Sequence, residues 1–218
     1  RFSYTFPALN GSFMGIAGVS GADISVYGFQ LEGLVSYPTS YIPTNGSIVT
    51  RNAETCNGAG DAAIFNDSEG VLMAEVEVNE DSINKRISIS NGSVSQRVVL
   101  WFRSNNTTIT AFINGAETVL LDYIVPNLQE KNKYAFKYKN NDCSLWVNGI
   151  KVKTDTNNTM PTGLSELAFD DGAGGNIFYG NTKQLQYYNS ALTDSELEQL
   201  TSWTSFSDMA EGQLYTIE

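Results

Sequence analysis

Histidine is absent from all 218 residues of this chain, which removes the commonest general base near neutral pH and the commonest zinc ligand. Histidine-containing triads and the histidine-based zinc motifs are excluded with it. Basic residues are scarce too: 13 Lys and Arg stand against 24 Asp and Glu, a formal net charge of -11. Binding a phosphate backbone takes clustered cations, so nucleic acid is not an expected partner. No apolar run approaches the roughly 20 residues that span a bilayer as a helix, and no membrane insertion is expected. Cysteine is limited to Cys56 and Cys143; a disulfide and two small buried residues both remain open. Only five prolines occur, whereas 19 glycines and many Asn/Ser/Thr clusters fit a β architecture with numerous tight turns. The chain opens on Arg1 without an initiator methionine, so a fragment or processed piece of a longer protein is expected.

What is present is alternation. In "GVLMAEVEV", Leu72, Ala74, Val76 and Val78 fall on one face and Met73, Glu75 and Glu77 on the other, the pattern of a half-buried strand. "QRVVLWFRSNNTTITAFI" reads as a hairpin turning at Ser104 to Asn106. In "NKYAFKYKNNDCSLWVNGIKVK", Tyr134, Phe136 and Tyr138 alternate with lysines, "KNND" turns, and Asn148-Gly149 predicts a type I′ turn, whose two central residues need positive φ. Two further short strands flank a glycine-rich loop, in "LSELAFDDGAGG" and "KQLQYYN". Short strands without helical crossovers imply antiparallel pairing in a sandwich or jelly roll.

One segment breaks the pattern. In "YYNSALTDSELEQLTSW", Thr193 and Glu196 have capping-box spacing, and Leu192 and Leu197 stand where a hydrophobic staple places them. Leu197, Leu200 and Trp203 form one apolar side, predicting a short amphipathic helix that covers an open end of the core.

Two motifs in that region carry a resemblance. Tyr188, Asn189, Leu192, Thr193, Glu196 and Leu197, together with the hairpin Trp146-Val147-Asn148-Gly149, resemble the laminin-G-like and pentraxin-like branch of the concanavalin A-like lectin/glucanase superfamily. The resemblance covers roughly residues 57 to 210 and implies an all-β, antiparallel β-sandwich of jelly-roll type with one short C-terminal helix. Residues 26 to 51, with Gln30-Leu31-Glu32, Thr39 to Thr44 and Thr50-Arg51, look like a segment recurrent in bacteriophage tail, fibre and other virion proteins. That resemblance implies trailing strands of an upstream sandwich at 1–36 and a linker at 37–56. A laminin-G-like domain at 57–206 and a C-terminal extension at 207–218 complete the expected organisation.

Candidate sites are weighed against plainer readings. Gly11, Gly15, Gly18 and Gly21 lack the strand-to-helix context of a nucleotide loop and read as a glycine-rich hairpin. "EVEVNE" is similar to the Glu-x-Asp-x-x-Glu of laminarinase-type glucanases, which would make Glu75 the nucleophile, Glu77 the assisting carboxylate and Glu80 the acid/base of a retaining mechanism. Glu replaces the central Asp, and the same string is what the polar face of a half-exposed edge strand looks like. Asp170, Asp171 and Asn176 offer oxygen ligands for Ca²⁺ in "DDGAGGN", against a plain turn. Trp101 shares its side of a strand with Arg97 and Arg103, a stacking platform for sugar flanked by guanidinium donors, or else a second buried layer. Trp146 reads as structural, and the Asn-x-Ser/Thr matches read as turn composition.

The expectation is therefore a non-enzymatic phage virion fibre or appendage module for adhesion, located on a virion or extracellularly. Its expected partners are cell-surface glycan or other virion proteins, engaged as a homo-oligomer. A glucanase-like hydrolase and a ligand-free structural virion component are the competing classes, and superfold resemblance alone does not separate them.

Overall fold

The computed structural model describes residues 41–43, 46–49, 59–79, 83–115, 118–156 and 159–203. The chain divides into two units, Arg1–Glu54 and Thr55–Glu218. Every described strand lies in the second. The expected upstream strands at 1–36, the glycine-rich hairpin within them, most of 37–56, and the extension at 207–218 lie outside the described residues.

Among the described residues ten strands run in chain order: β1 (Glu69–Val78), β2 (Lys85–Ser90), β3 (Arg97–Phe102), β4 (Thr108–Ile113), β5 (Val119–Ile124), β6 (Asn132–Lys139), β7 (Cys143–Val147), β8 (Ile150–Asp155), β9 (Glu166–Ala168) and β10 (Gly180–Tyr188). They form two antiparallel five-stranded sheets, ordered β10-β1-β6-β7-β8 and β5-β4-β3-β2-β9. The fold is an all-β antiparallel sandwich with one short helix, α1 (Asp194–Thr201).

Alternation decides the core. Leu72, Ala74 and Val76 of β1 and Tyr134, Phe136 and Tyr138 of β6 meet Ile87, Ile89, Val98, Leu100 and Phe102 from the other sheet in one buried cluster. Residues of opposite parity face outward, as a period of two requires. The Asn-Gly turn between β7 and β8 forms as expected, with φ of 48° at Asn148 and 84° at Gly149. Cys143 is a buried free thiol, raised in pKa by burial, that donates to the Lys139 carbonyl. Cys56 lies outside the described residues.

Helix α1 starts as its sequence dictates: Thr193 Oγ1 accepts from the Glu196 N–H at 3.3 Å and Glu196 Oε2 accepts from the Thr193 N–H at 2.8 Å. Its position differs from the expectation. Leu197 packs on Val71, Met73, Ala135 and Trp146, with Leu192 and Leu200 beside it, in a cluster separate from the main core. The helix covers the outer face of the first sheet, where β1 and β6 present apolar residues, and not an open end of the sandwich. Ion pairs hold it there: Asp194 pairs with Lys151 and, at 3.9 Å, with Lys137, while Lys133 Nζ donates to the Ser202 carbonyl at 2.8 Å. The negative charges lie at the helix start and the ammonium at its end, both favoured by the helix dipole.

Candidate functional site

The outer face of the second sheet carries no described helix. Parity along β3 sends Val98, Leu100 and Phe102 into the core and Arg97, Val99 and Trp101 outward, as the sequence pattern requires. Pairing then sets the neighbours: Arg86 of β2 lies directly across from Trp101, and Thr110 of β4 lies on its other side. The result is a ladder of guanidiniums over two aromatic rings. Arg103 Cζ lies 3.6 Å and Arg86 Cζ 4.3 Å from the Trp101 ring centroid, and Arg97 Cζ lies 4.9 Å from that of Phe112. Trp101 and Phe112 meet edge to face at 5.9 Å.

Hydrogen bonds fix each member. Trp101 Nε1 donates to Asn84 Oδ1 at 3.1 Å, which sets the rotation of the indole. Arg103 Nε donates to Thr110 Oγ1 at 2.9 Å, and its Nη2 pairs with Asp122 at 3.2 Å; Thr110 Oγ1 also donates to Asp122. Arg97 Nη1 donates to the Asp171 carbonyl at 2.5 Å, and Arg86 lies 3.9 Å from the Asp171 carboxylate.

Arg97, Trp101 and Arg103 are thus brought onto one face as expected, but the indole is half-buried and overlaid by guanidiniums, Arg97 is 5% exposed and the Arg86 side chain 13%, so Trp101 and Arg103 are the half-exposed members of the group. Arg86, Asn84, Thr110 and Asp122 belong to the same site and were not identified from sequence. The signal for Arg86 was available in the alternation of "RISIS". Its meeting with Trp101 was not, because that depends on the β2–β3 register.

The other candidates fare differently. Glu75 does not lie on a solvated edge strand: β1 sits between β10 and β6, and Glu75 is 1% exposed and pairs with Lys183 at 2.9 Å. Strands more than 50 residues away in sequence cover it, which local alternation cannot reveal. Glu77 accepts from Asn181 Nδ2 at 3.2 Å, and Glu80 lies outside the described residues. A buried, lysine-paired Glu75 offers no access to a glycosidic bond.

In the 170–176 loop, Asp171 accepts from the Gly175 and Ala173 N–H groups and from Asn176 Nδ2 at 2.9 Å, and Asp170 accepts from the Gly172 N–H at 2.7 Å. Burial alone raises the Asp171 pKa, but these donors and the Arg86 charge outweigh it and hold the carboxyl below its ordinary value. The loop brings Asp171 and Asn176 together as a hydrogen-bonded pair, and it anchors Arg97 and Arg86. Among the described residues no group of three or more His, Cys, Asp or Glu side chains is placed to hold a metal ion. Trp146, 4% exposed, lies under α1 and donates to Ser144. A shallow cleft of about 420 Å³ near Phe65 is bounded by Asp67, whose oxygens already accept from the Gly163 and Leu164 N–H groups.

No family model and no curated relative matches the sequence. Solved structures do match in shape. The CBM40 carbohydrate-binding module of the Ruminococcus gnavus IT-sialidase, bound to α2,3-sialyllactose, is similar over 65% of this chain and 86% of its own length, with a TM-score of 0.55 and 20% identity. The leech intramolecular trans-sialidase matches over 65% of this chain at a TM-score of 0.53 and 20% identity, and this chain spans only 24% of it. Domain 4 of an extracellular arabinanase from Geobacillus stearothermophilus, in complex with arabinotriose, matches over 66% of this chain and 70% of its own, at 0.53 and 15% identity. At such identities the likeness establishes the β-sandwich fold.

Proposed function

We propose that the Thr55–Glu218 unit is a non-catalytic glycan-binding module, taking its ligand on the outer face of the second sheet around Trp101, Arg86, Arg97 and Arg103. The observation that carries this is the convergence of those three guanidiniums and the indole on one sheet face, each held by packing or hydrogen bonds before any ligand arrives. The half-exposed Arg103 guanidinium can donate to sugar oxygens and the half-exposed Trp101 indole can contact sugar C–H groups, while Arg86, Arg97 and the buried Phe112 hold them in place. Solved domains of this shape in complex with sialyllactose and arabinotriose support the reading as precedent for the fold.

The biological setting we propose is adhesion by a virion or extracellular appendage. The virion-type segment at residues 26 to 51 and the laminin-G-like motifs support that setting. Presentation as a homo-oligomer would raise avidity through effective concentration. Catalysis is disfavoured by the burial of Glu75 and its pairing with Lys183.

The test is a broad glycan array probed with the full chain, with calcium and then with a chelator. Binding lost on Trp101→Ala and indifferent to chelation is expected. Loss under chelation would assign the 170–176 loop a metal, and a blank array would favour a structural component of a particle.

A further inference from the structure

We infer that Asn91 is a site of spontaneous covalent modification: its side-chain amide is lost through a succinimide formed with the Gly92 nitrogen, and the turn between β2 and β3 passes into an aspartate or isoaspartate form. The inference stands apart from the glycan-binding reading and needs no ligand. Three Asn-Gly pairs lie among the described residues, Asn91-Gly92, Asn114-Gly115 and Asn148-Gly149. Glycine carries no Cβ to shield its nitrogen from the preceding side chain, so the sequence alone offers all three. The fold separates them.

Two of the three are held. Asn148 Oδ1 accepts from the Lys133 N–H at 2.9 Å and its Nδ2 donates to Asn132 Oδ1 at 2.8 Å, so turning its Cγ onto the Gly149 nitrogen breaks two hydrogen bonds. Asn114 is 5% exposed, with Nδ2 donating to the Thr159 carbonyl at 3.4 Å, and burial keeps away the water that must open the ring. Asn91 is exposed, and among the described residues no hydrogen bond holds its side-chain amide.

The Gly92 nitrogen attacks Asn91 Cγ, the N–Cγ bond forms as the Cγ–Nδ2 bond breaks, and Nδ2 leaves as ammonia with the proton that the Gly92 nitrogen gives up. Water then opens the ring at either carbonyl, restoring the ordinary backbone with an aspartate or routing the chain through the side chain as isoaspartate. The turn offers a path for the proton: the Gly92 N–H donates to Ser90 Oγ at 3.1 Å, and the Ser90 hydroxyl lies 3.4 Å from Glu166 Oε1. The Gly149 N–H instead donates to Thr201 Oγ1 at 3.1 Å, whose own proton is held by the Leu197 carbonyl at 2.7 Å. Isoaspartate lengthens the turn that the Asn91 N–H closes on the Gln96 carbonyl at 3.2 Å, and Gln96 Oε1 accepts from the Thr162 N–H at 2.8 Å. Conversion therefore loosens the tie between this turn and the segment leading into β9.

The experiment incubates the full chain at mildly alkaline pH, natively and in concentrated urea, and follows each asparagine by peptide mapping with mass spectrometry, isoaspartate being scored separately from aspartate. In the native chain Asn91 is expected to convert at least about tenfold faster than Asn148 or Asn114, the factor that breaking their hydrogen bonds imposes. In urea the three rates should converge. Isoaspartate should accumulate at position 91, since direct hydrolysis of the amide gives aspartate alone. Glu166→Gln should slow conversion at Asn91 severalfold and leave Asn148 and Asn114 at the parent's rates, with its thermal transition checking that it folds. Native conversion of Asn148 or Asn114 as fast as that of Asn91, or an Asn91 that stays intact natively while urea converts it, would overturn the site. Conversion of Asn91 to aspartate without isoaspartate would overturn the succinimide, and an unchanged rate in folded Glu166→Gln would overturn the proton path.

Discussion

On the proposed reading Asp122 competes with a bound glycan for Arg103, and replacing it tests the site's electrostatics with an opposite sign from most mutations. Its carboxylate accepts from Arg103 Nη2 at 3.2 Å, and the side chains are 50% and 29% exposed. A pair this exposed contributes on the order of 0.2 to 1 kcal/mol. Asp122→Asn keeps the shape and leaves an amide oxygen to accept from Thr110 and Arg103, so stability should fall by less than about 1 kcal/mol. At the same time it loosens the hold on Arg103 and frees its Nη2 to donate to a bound glycan. A gain of about 0.5 to 1 kcal/mol in binding corresponds to roughly two- to fivefold tighter affinity. Isothermal titration with a glycan found on the array at low salt reads this directly, and the gain should shrink at high salt, where the Asp122–Arg103 pair is already screened. A clear loss of affinity would refute the reasoning, because it would make Asp122 an acceptor for a sugar hydroxyl and not a competitor.

Other perturbations test the framework. Leu197→Ala, at the centre of the α1 contact with Val71, Met73 and Trp146, should lower unfolding free energy in urea by about 2 to 4 kcal/mol with the slope unchanged; under 0.5 would mean that the helix is not part of the cooperative unit. Thr193→Ala, which removes the capping oxygen, should cost about 1 kcal/mol in the same assay. Tyr138→Phe deletes the hydroxyl that donates to the Asn66 carbonyl at 2.6 Å and lies 3.0 Å from the Tyr187 hydroxyl, and should cost about 1 to 2 kcal/mol. Asp171 has a folded pKa below its ordinary 3.8, so its contribution is full above that value and is lost as pH falls through the folded pKa. Acid unfolding of Asp171→Asn should accordingly show a shallower loss of stability below about pH 4 than the parent.

Much of the fold could be read from local pattern, and the limits are physical. The parity of β1, β3 and β6, the Asn148-Gly149 turn and the Thr193–Glu196 box are set by residues within a few positions of one another, and each appears in the structure as the sequence implies. Strand order is not local. β1 lies between β10 and β6, so Glu75, which stands on a polar-looking face, ends up sealed against Lys183. The amphipathic stripe of α1 likewise announces that the helix docks, while the surface it docks on is composed by β1, β6 and β7. On the candidate site, the shared side of Arg97, Trp101 and Arg103 follows from period two, whereas Arg86 and Asp122 arrive by pairing of β2 and β5, two strands that escaped recognition as short runs. Their burial and ion pairs exist only once the sheet is assembled.

The central claim is that ligand binds beside Trp101, and the chain's three tryptophans make it directly testable. The indole N–H signals of Trp101, Trp146 and Trp203 can be followed by nuclear magnetic resonance while a glycan found on the array is added. Because Trp101 Nε1 is tied to Asn84 within the arginine face and Trp146 Nε1 is sealed under α1, the account predicts a saturable shift of the Trp101 signal with the Trp146 signal unmoved. A shift confined to Trp146 or Trp203, with Trp101 unchanged at saturation, would place the ligand on the other sheet and contradict it.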